Sequence, residues 1–443
     1  RETQNGIFIP ESFSFPSRIL HLTLVEASQA PVFENNLISN DPAYWKEVAE
    51  LRNYAARAQQ TLEEQQNRPF SPLGLTLYLS NRCNLSCVYC FAESGEEQPQ
   101  RLVPTVALAA AKIVAENCLI EKYPLTVAFT GGGEPTLEQP ILDTLLDGLE
   151  QLTTEYGLAL FRYISTNGVM EEARARWLAQ RFDLISLSCD GPPPVQAVQR
   201  PLRNGCDSSP KMERTAQIVR ESGKTLHVRV TVTRQTLFLL PAISRYLCCQ
   251  IEPKEINVEP VYRGGRATGV LEPEMAGDFV EAFLEARKIA RDYGVRLLMS
   301  GSRPGEIHGP YCQVLRDVLH LLPGGEATAC FKTAHTTRHG QNDFLIGQFE
   351  KNDGVFNIDQ PKVRMLRQTL QNTIPQCSSC FNLYHCARGC PDFCVLEENI
   401  PEKSFRCLVQ QMLISVQLQE IANTIKEDAF RLSGVTGKEV GRW

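Results

Sequence analysis

Three thiols sit within one short stretch, Asn81-Arg82-Cys83-Asn84-Leu85-Ser86-Cys87-Val88-Tyr89-Cys90, at the spacing CxxxCxxC. Cysteines this close together suit a metal. Three thiolates leave a [4Fe–4S] cluster one ligand short, so one iron can take a small molecule; a fourth thiol would make a closed electron carrier. The spacing therefore argues for catalysis. Zinc is the other candidate, although zinc knuckles prefer paired CxxC spacings and usually a histidine.

A second array follows far downstream. Cys312, twelve residues, Gly325, four residues and Cys330 precede Cys377-x2-Cys380-x5-Cys386-x3-Cys390, then Cys394 and Cys407. Zinc could claim Cys377, Cys380, Cys386 and Cys390 as a four-thiolate site. His335, His339 and His385 lie near in sequence and read as ordinary polar residues. Cys118, Cys189, Cys206, Cys248 and Cys249 are scattered and read as core thiols. Between the arrays, Thr130-Gly131-Gly132-Gly133-Glu134-Pro135 offers backbone that can approach a ligand closely, beside a carboxylate able to accept a bond from an amine. A tight structural turn would look the same.

These residues need elements to position them. From Leu73 the chain alternates strand-like runs (73–79, 125–130, 160–165, 184–188, 226–233 and 255–261) with helical ones (104–118, 140–153, 171–180, 211–221 and 239–247). Such alternation implies an α/β fold with a parallel sheet and right-handed crossovers. Six strands are too few for a closed eight-stranded barrel, so the expectation is a partial (β/α)6, TIM-like barrel. Its chemistry gathers at the carboxyl ends of the strands, just where the first three cysteines fall. A helix over 273–293 and the run 295–299 close that unit, and Glu259 and Tyr262 point toward its cavity.

After Gly301 the texture becomes cysteine-bearing and loop-rich as far as Cys407. Phe405, Leu408, Val409, Met412 and Val416 then recur at helical spacing, so an amphipathic helix is expected over 404–432, before a flexible tail. Residues 1–72 form a preface, with a strand over 18–26 and a polar helix over 41–65 capped at Asp41. The resulting division is an N-terminal extension (1–72), the partial barrel (73–300), a cysteine-rich domain (301–410) and a C-terminal helix and tail (411–443).

Composition narrows the class. A net charge of −6 without a basic cluster gives no reason to expect nucleic acid. No apolar run reaches membrane-spanning length and no signal peptide opens the sequence, so neither membrane nor export is expected. Eight of the 16 cysteines fall from Cys312 onward, and clustered thiols in a long chain without an export signal read as ligands in a reducing, cytoplasmic compartment.

With Tyr89 as the aromatic residue before Cys90, the first motif reads CxxxCx(aromatic)C, and the chain resembles the radical S-adenosylmethionine (radical SAM) enzymes. Gly131, Gly132, Gly133 and Glu134 match that family's GGEP segment, which grips the methionine amino group. Ser165-Thr166-Asn167-Gly168 matches its TNG segment. Ser188-Cys189-Asp190-Gly191-Pro192 resembles its SLDGP segment with Cys189 as an extra residue. The resemblance implies that Ser165, Asn167, Ser188 and Asp190 could meet the cofactor's ribose, and that an arginine pairs with its carboxylate. Arg200 and Arg229 rank level for that role, ahead of Arg203. Capping of the following loops is the plain alternative for the short polar residues.

The second array matches, interval by interval, the SPASM extension of such proteins. That implies three [4Fe–4S] clusters, one binding SAM and two auxiliary. Cys377, Cys380, Cys386 and Cys407 would ligate the distal one, and Cys312, Cys330 and Cys390 the nearer one. Sulfatase-maturating relatives carry another cysteine between the first two, whereas residues 313–329 here contain none. The nearer cluster then has either an open iron or Cys394 as its fourth ligand.

The implied chemistry is reductive cleavage of SAM to a 5′-deoxyadenosyl radical, hydrogen abstraction, and an oxidative carbon–carbon or thioether crosslink in a ribosomally made precursor peptide. The auxiliary clusters carry away the second electron. The partners implied are that peptide and a reductase, flavodoxin or ferredoxin as electron donor. Formylglycine formation in a sulfatase, and peptide excision or epimerisation, are alternatives within the enzymes. A module that keeps clusters without catalysis is the alternative outside them. Relatives that modify peptides often carry a winged-helix leader-recognition domain where residues 1–72 lie; a simple packing extension is preferred here.

Overall fold

The computed structural model describes residues 2–3, 6–9, 18–21, 67–95, 99–261, 264–302, 312–330, 344–371, 377, 380, 382, 386 and 403–432. Near the start, β1 (Glu2–Thr3), β2 (Gly6–Ile9) and β3 (Arg18–His21) form an antiparallel sheet. Sequence reading found only the third of these, and its helix over 41–65 lies outside the described residues, as does the tail beyond 432.

The expected alternation is present. Strands β4 (Gly74–Tyr78), β5 (Leu125–Thr130), β6 (Leu160–Thr166), β7 (Leu184–Ser188), β8 (Thr225–Val232), β9 (Glu255–Pro260) and β10 (Arg296–Leu298) lie side by side in chain order, all parallel. Helices α1 (Pro104–Glu121), α2 (Gln139–Tyr156), α3 (Glu172–Arg181), α4 (Pro193–Gln199), α5 (Ser209–Glu221), α6 (Leu240–Tyr246) and α7 (Ala276–Asp292) connect them. Only α4 has no counterpart among the sequence-predicted helices.

The loop-rich expectation after Gly301 is corrected. There β11 (Val318–Leu321) adds to the far side of β4, also parallel, followed by the antiparallel β12 (Ala327–Thr328), β13 (Leu345–Glu350) and β14 (Val355–Ile358). One sheet of eleven strands results, and its parallel part has eight strands rather than six. The reason is local. Val318-Leu319-His320-Leu321 is too short to show a period, and a histidine interrupts its apolar run. Helix α8 (Gln360–Gln371) follows β14.

Alternation along the strands separates two faces. On β5, Leu125, Val127 and Phe129 are fully buried, and they share one core with Ala110, Ala111 and Val114 of α1 and Leu142, Leu145 and Leu146 of α2. Thr126, Ala128 and Thr130 point to the other side and are half-buried. Register carries that inner face across the sheet. One row runs through His320, Thr76, Ala128 and Tyr163, and the next through Ser165, Ser186, His227, Glu255 and Arg296. Apolar residues therefore face the helices and polar ones line a lumen.

The last helix, α9 (Phe405–Leu432), packs Phe405 against Phe279 of α7, with ring centroids 5.6 Å apart. Its buried stripe is Phe405, Val409 and Leu413, while Met412, expected inside, is exposed. No helix among the described residues is long and apolar enough to cross a membrane.

Candidate active site

Cys83, Cys87 and Cys90 lie on the loop that leaves the carboxyl end of β4, and all three are half-buried. The loop is sewn to its surroundings by backbone. Ser86 donates to the Pro201 carbonyl (2.9 Å), Val88 to Gln199 (3.0 Å) and Gly95 to Asn81 (2.9 Å), while Arg266 donates to the Cys90 carbonyl (3.0 Å). Polar N–H groups face two of the sulfurs. Asn167 Nδ2 lies 3.9 Å from Cys83 Sγ, and Arg200 Nη1 lies 3.8 Å from Cys87 Sγ. Burial pushes the Cys83 thiol up to about 12 and the Cys87 thiol to about 11. Three half-buried thiols on one loop, two of them with N–H donors directed at their sulfurs, fit an iron–sulfur cluster, whose positive irons would replace the thiol protons.

Arg200 and Asp190 form the buried frame of this loop. Arg200 Nε donates to Asp190 Oδ2 (3.0 Å), Gln199 Nε2 donates to the same oxygen (2.9 Å), and the Thr231 N–H donates to Oδ1 (2.9 Å). The Tyr89 hydroxyl also donates to Asp190, and the Arg200 guanidinium lies over the Tyr89 ring, 5.3 Å from its centroid. Burial works against the guanidinium charge, but the Asp190 carboxylate beside it outweighs burial and holds Arg200 well above its usual range. Tyr89, Asp190 and Arg200, all three expected at the cofactor, thus also bind one another.

Glu134 follows β5, caps the turn Pro135–Glu138 and is buried. Its Oε1 accepts from the Thr136 N–H (3.1 Å), the Thr136 hydroxyl (2.8 Å) and the Thr166 hydroxyl (2.7 Å), and its Oε2 from the Asn167 N–H (2.7 Å). Burial raises its pKa against those four bonds. The carboxylate therefore ties the glycine segment to the TNG segment. The Asn167 side chain continues the tie, donating to Asn84 Oδ1 (2.8 Å) inside the cysteine loop. The glycines have a steric cause. A Cβ on Gly133 would stand 2.0 Å from the Arg82 carbonyl oxygen, where the Glu134 N–H already donates to that oxygen at 2.7 Å.

Arg229 differs from Arg200. It pairs in register with Ser188 on the lumen face of β8, is exposed, and forms no ion pair among the described residues. Ser165 and Ser188 are half-buried on the same face. Glu259, also at the lumen, is buried and accepts from the Ser300 N–H (2.9 Å); Tyr262 lies outside the described residues.

Sequence reasoning missed Gly265. With φ +56, its Cβ would stand 2.3 Å from the Cys90 carbonyl oxygen, so only glycine lets the segment after β9 lie over the third cysteine. The Gly264-Gly265 pair was the available signal. It also missed His320, which is fully buried with neither ring nitrogen hydrogen-bonded among the described residues. Burial pushes that imidazole's pKa down to about 3, so it is neutral.

In the second array, Cys312 and Cys330 bracket β11 and β12, and both are half-buried. Gln411 of α9 places its Nε2 3.4 Å from Cys380 Sγ and 3.7 Å from Cys407 Sγ, so those two thiols share one amide. Cys386 Sγ donates to Gln410 Oε1 (2.6 Å), and Cys377 joins through the Cys380 N–H to its carbonyl (3.1 Å). Cys390, Cys394 and the three histidines near them in sequence lie outside the described residues. Of the scattered thiols, Cys118, Cys189 and Cys248 are buried, whereas Cys206 and Cys249 are exposed and are not core residues.

Comparison with known proteins agrees with this geometry. Residues 77–237 match the model of the radical SAM superfamily. The chain is 27% identical over 180 residues to the cysteine-type anaerobic sulfatase-maturating enzyme of Clostridium perfringens, covering 40% of this chain and 48% of that protein. That match spans about half the relative's length. It is 25% identical over 330 residues to the mycofactocin maturase MftC of Mycolicibacterium smegmatis, covering 72% and 78% respectively. Among solved structures, native anSMEcpe with bound AdoMet superposes with a TM-score of 0.62 at 20% identity, over 80% of this chain and 100% of that one. Streptococcus suis SuiB bound to S-adenosylmethionine gives 0.55 at 18% identity, over 84% and 83%. Those two likenesses concern the fold, an open parallel α/β sheet. The family implies one [4Fe–4S] cluster and SAM, and Cys83, Cys87 and Cys90 are the residues that would hold the cluster. This chain therefore carries a radical SAM domain.

Proposed function

We propose that this protein is a radical SAM peptide maturase that oxidatively forms a carbon–carbon or thioether crosslink in a ribosomally made precursor peptide. The observation that carries the reading is the meeting of the cysteine loop, the glycine segment and the TNG segment at one edge of a polar lumen, joined through Glu134 and Asn167. When bound, the cluster and SAM supply a 5′-deoxyadenosyl radical able to remove a carbon-bound hydrogen. Cys83, Cys87 and Cys90 would hold that cluster, with Asn167 donating toward the Cys83 sulfur and Arg200 toward the Cys87 sulfur. Arg229, the exposed lumen cation, takes the methionine carboxylate, and the backbone around Gly131, Gly132 and Gly133 takes the amine. Ser165 and Ser188 are placed for ribose hydroxyls. Cys312, Cys330 and Cys390, and Cys377, Cys380, Cys386 and Cys407, would hold two auxiliary clusters, which would supply an acceptor for the second electron. The division at residues 72, 300 and 410, a flavodoxin- or ferredoxin-type donor and a reducing compartment belong to the same proposal.

The match to the mycofactocin maturase extends well past the radical SAM domain, while that to the sulfatase-maturating enzyme stops at 180 residues. That favours a peptide over a sulfatase, and SuiB has been solved bound to its precursor peptide SuiA. The test is mass spectrometry of a candidate precursor peptide, encoded beside this protein and co-expressed with it. A loss of two hydrogens per event supports the crosslink. One deuterium gained from heavy water means epimerisation, and conversion of a sulfatase cysteine or serine to formylglycine means the other maturase. Absence of SAM cleavage to 5′-deoxyadenosine under dithionite would remove the catalytic reading altogether.

A further inference from the structure

Among the described residues five carboxylates are buried: Glu134, Glu138, Asp190, Glu255 and Glu259. Four of them are held by several donors or by a cation. Glu134 has its four donors, Asp190 has Arg200, Gln199, Tyr89 and the Thr231 N–H, and Glu138 meets Arg101 (3.0 Å). Glu255 pairs with the Arg296 guanidinium, accepts from Asn257 Nδ2 (2.8 Å) and has His227 Nδ1 3.7 Å away. Glu259 is the exception. Its Oε1 accepts the Ser300 N–H (2.9 Å), but no cation among the described residues pairs with it and none of them donates to Oε2. That second oxygen is not fully enclosed, so it keeps contact with the lumen. Burying a carboxylate with a single donor costs stability, and a side chain kept only to accept one N–H could equally be glutamine.

Its place in the sheet ties that oxygen to the cysteine loop. Glu259 is the last residue but one of β9, while Ile256 and Val258 on the same strand belong to the core under the helices. In register it stands beside Thr231 of β8, one lumen row beyond Ser188, Arg229 and Asn257. The chain leaving β9 then crosses the cysteine loop, where Gly265 packs over the Cys90 carbonyl and the Arg266 N–H donates to it (3.0 Å). The free oxygen of Glu259 therefore shares the carboxyl end of the lumen with Cys83, Cys87 and Cys90.

A crosslink that removes two hydrogens releases one as an atom and the other as a proton and an electron. In the function proposed above, the deoxyadenosyl radical takes the atom and an auxiliary cluster takes the electron. The proton still needs an acceptor. We propose that the Glu259 carboxylate is that acceptor, the general base of the crosslinking step. Oε1 stays on the Ser300 N–H while Oε2 takes the proton from the sulfur or carbon of the second residue as the new bond forms. The carboxylic acid so made then loses its proton to water. The role rests on the reading that this protein crosslinks a peptide, and it names the residue that lets the second half of that reaction finish.

The experiment uses the full chain, reconstituted anaerobically with iron and sulfide and supplied with SAM, dithionite and a deuterated precursor peptide. Deuterium appearing in 5′-deoxyadenosine reports abstraction, and crosslinked peptide reports completion. In Glu259→Gln the amide oxygen still accepts the Ser300 N–H, so deuterium transfer should persist while crosslinked product forms at least about a hundredfold more slowly. Glu259→Ala should be equally impaired and recover in part with added acetate, which returns a carboxylate to the lumen. The metal-free Glu259→Gln chain should unfold at a urea concentration no lower than the parent's, because a buried charge without a cation is gone. Crosslinking at the parental rate in Glu259→Gln overturns the assignment. Loss of deuterium transfer together with crosslinking overturns it too, as does a lower urea midpoint with no acetate rescue of Glu259→Ala, since Glu259 then only shapes the site. A parent chain that crosslinks no peptide fails the proposed function itself, and this role falls with it.

Discussion

Arg200 Nε lies 3.0 Å from Asp190 Oδ2 in a pair whose side chains are 9% and 0% exposed, and the same guanidinium reaches toward Cys87. The ion pair is the joint between the end of β7 and the cysteine loop. A buried pair adds little over a well-packed apolar substitute, but removing one partner strands the other charge. Arg200→Gln should therefore cost about 3 kcal/mol and lower iron incorporation, because the cysteine loop loses its frame. Urea denaturation of the metal-free chain and iron per chain after reconstitution measure the two effects. An Arg200→Gln chain of unchanged stability would show that Asp190 is held by Tyr89, Gln199 and Thr231 alone.

Arg229 should behave in the opposite way. Its side chain is exposed within the lumen and bonded to no carboxylate among the described residues, so Arg229→Gln should change stability by no more than about 0.5 kcal/mol. Loss of a charge-assisted bond to a carboxylate is worth roughly 1.5–3 kcal/mol, hence a weakening of SAM binding of at least about tenfold. Equilibrium binding of SAM to the reconstituted enzyme checks this. If Arg200 were the carboxylate's partner, Arg229→Gln would leave affinity unchanged.

Gly133 sets a steric condition on cluster assembly. With a Cβ 2.0 Å from the Arg82 carbonyl oxygen, which belongs to rigid backbone, Gly133→Ala must push the cysteine loop away from β5. The expected result is a folded chain with sharply reduced iron, read by circular dichroism and by iron analysis. Gly265→Ala should act in the same way from the other side, through the Cys90 carbonyl.

Much of this is legible in the sequence. Strands β4 to β9 carry runs of branched and apolar residues bounded by Gly, Pro or charge, and the motifs stand at their ends, so order and site could be read together. What stayed hidden were relationships between distant residues. Arg200 and Arg229 are equivalent as letters, and only the packing of Asp190 against Arg200 commits one and leaves the other facing the lumen. Glu134 reads from the sequence only as a carboxylate beside glycines, and the four protein donors it ties together come from segments the chain does not place side by side. His320 could not be noticed because a four-residue strand shows no period, and its burial follows from pairing with β4 across more than 200 residues of chain. Such long-range pairing leaves no local trace.

A pH dependence follows from Asp183, at the start of β7. Burial pushes its pKa up, but the side chain and the N–H of Arg162 on β6 pull harder, and the carboxyl stands below its usual value. A group depressed in the folded state contributes stability above its unfolded value, near pH 3.9, and loses it as pH falls through the folded value. Both side chains are partly exposed, so the contribution is about 1 kcal/mol. Asp183→Asn should therefore be less stable than the parent by that amount at pH 7, with the difference shrinking as pH falls below about 3.9, by urea denaturation across that range. Equal stability at pH 7 would mean that the Arg162 pairing contributes nothing to the β6–β7 joint.

Gln411 offers a test of the proposed distal cluster independent of turnover. One amide nitrogen lies 3.4 Å from Cys380 Sγ and 3.7 Å from Cys407 Sγ, and no other side chain among the described residues donates to both. N–H donors to ligating sulfurs stabilise the reduced, more negative state of a cluster and so raise its potential. Gln411→Leu keeps the helical position and removes the donor, so the midpoint potential of one cluster should fall while its iron content stays. Redox titration followed by electron paramagnetic resonance on the chain lacking Cys83, Cys87 and Cys90 reads it directly. If iron is lost instead, the amide is needed to assemble the site. A potential that does not move would mean that Cys380 and Cys407 are not ligands of one cluster, and that the thiols at α9 serve only to pack it.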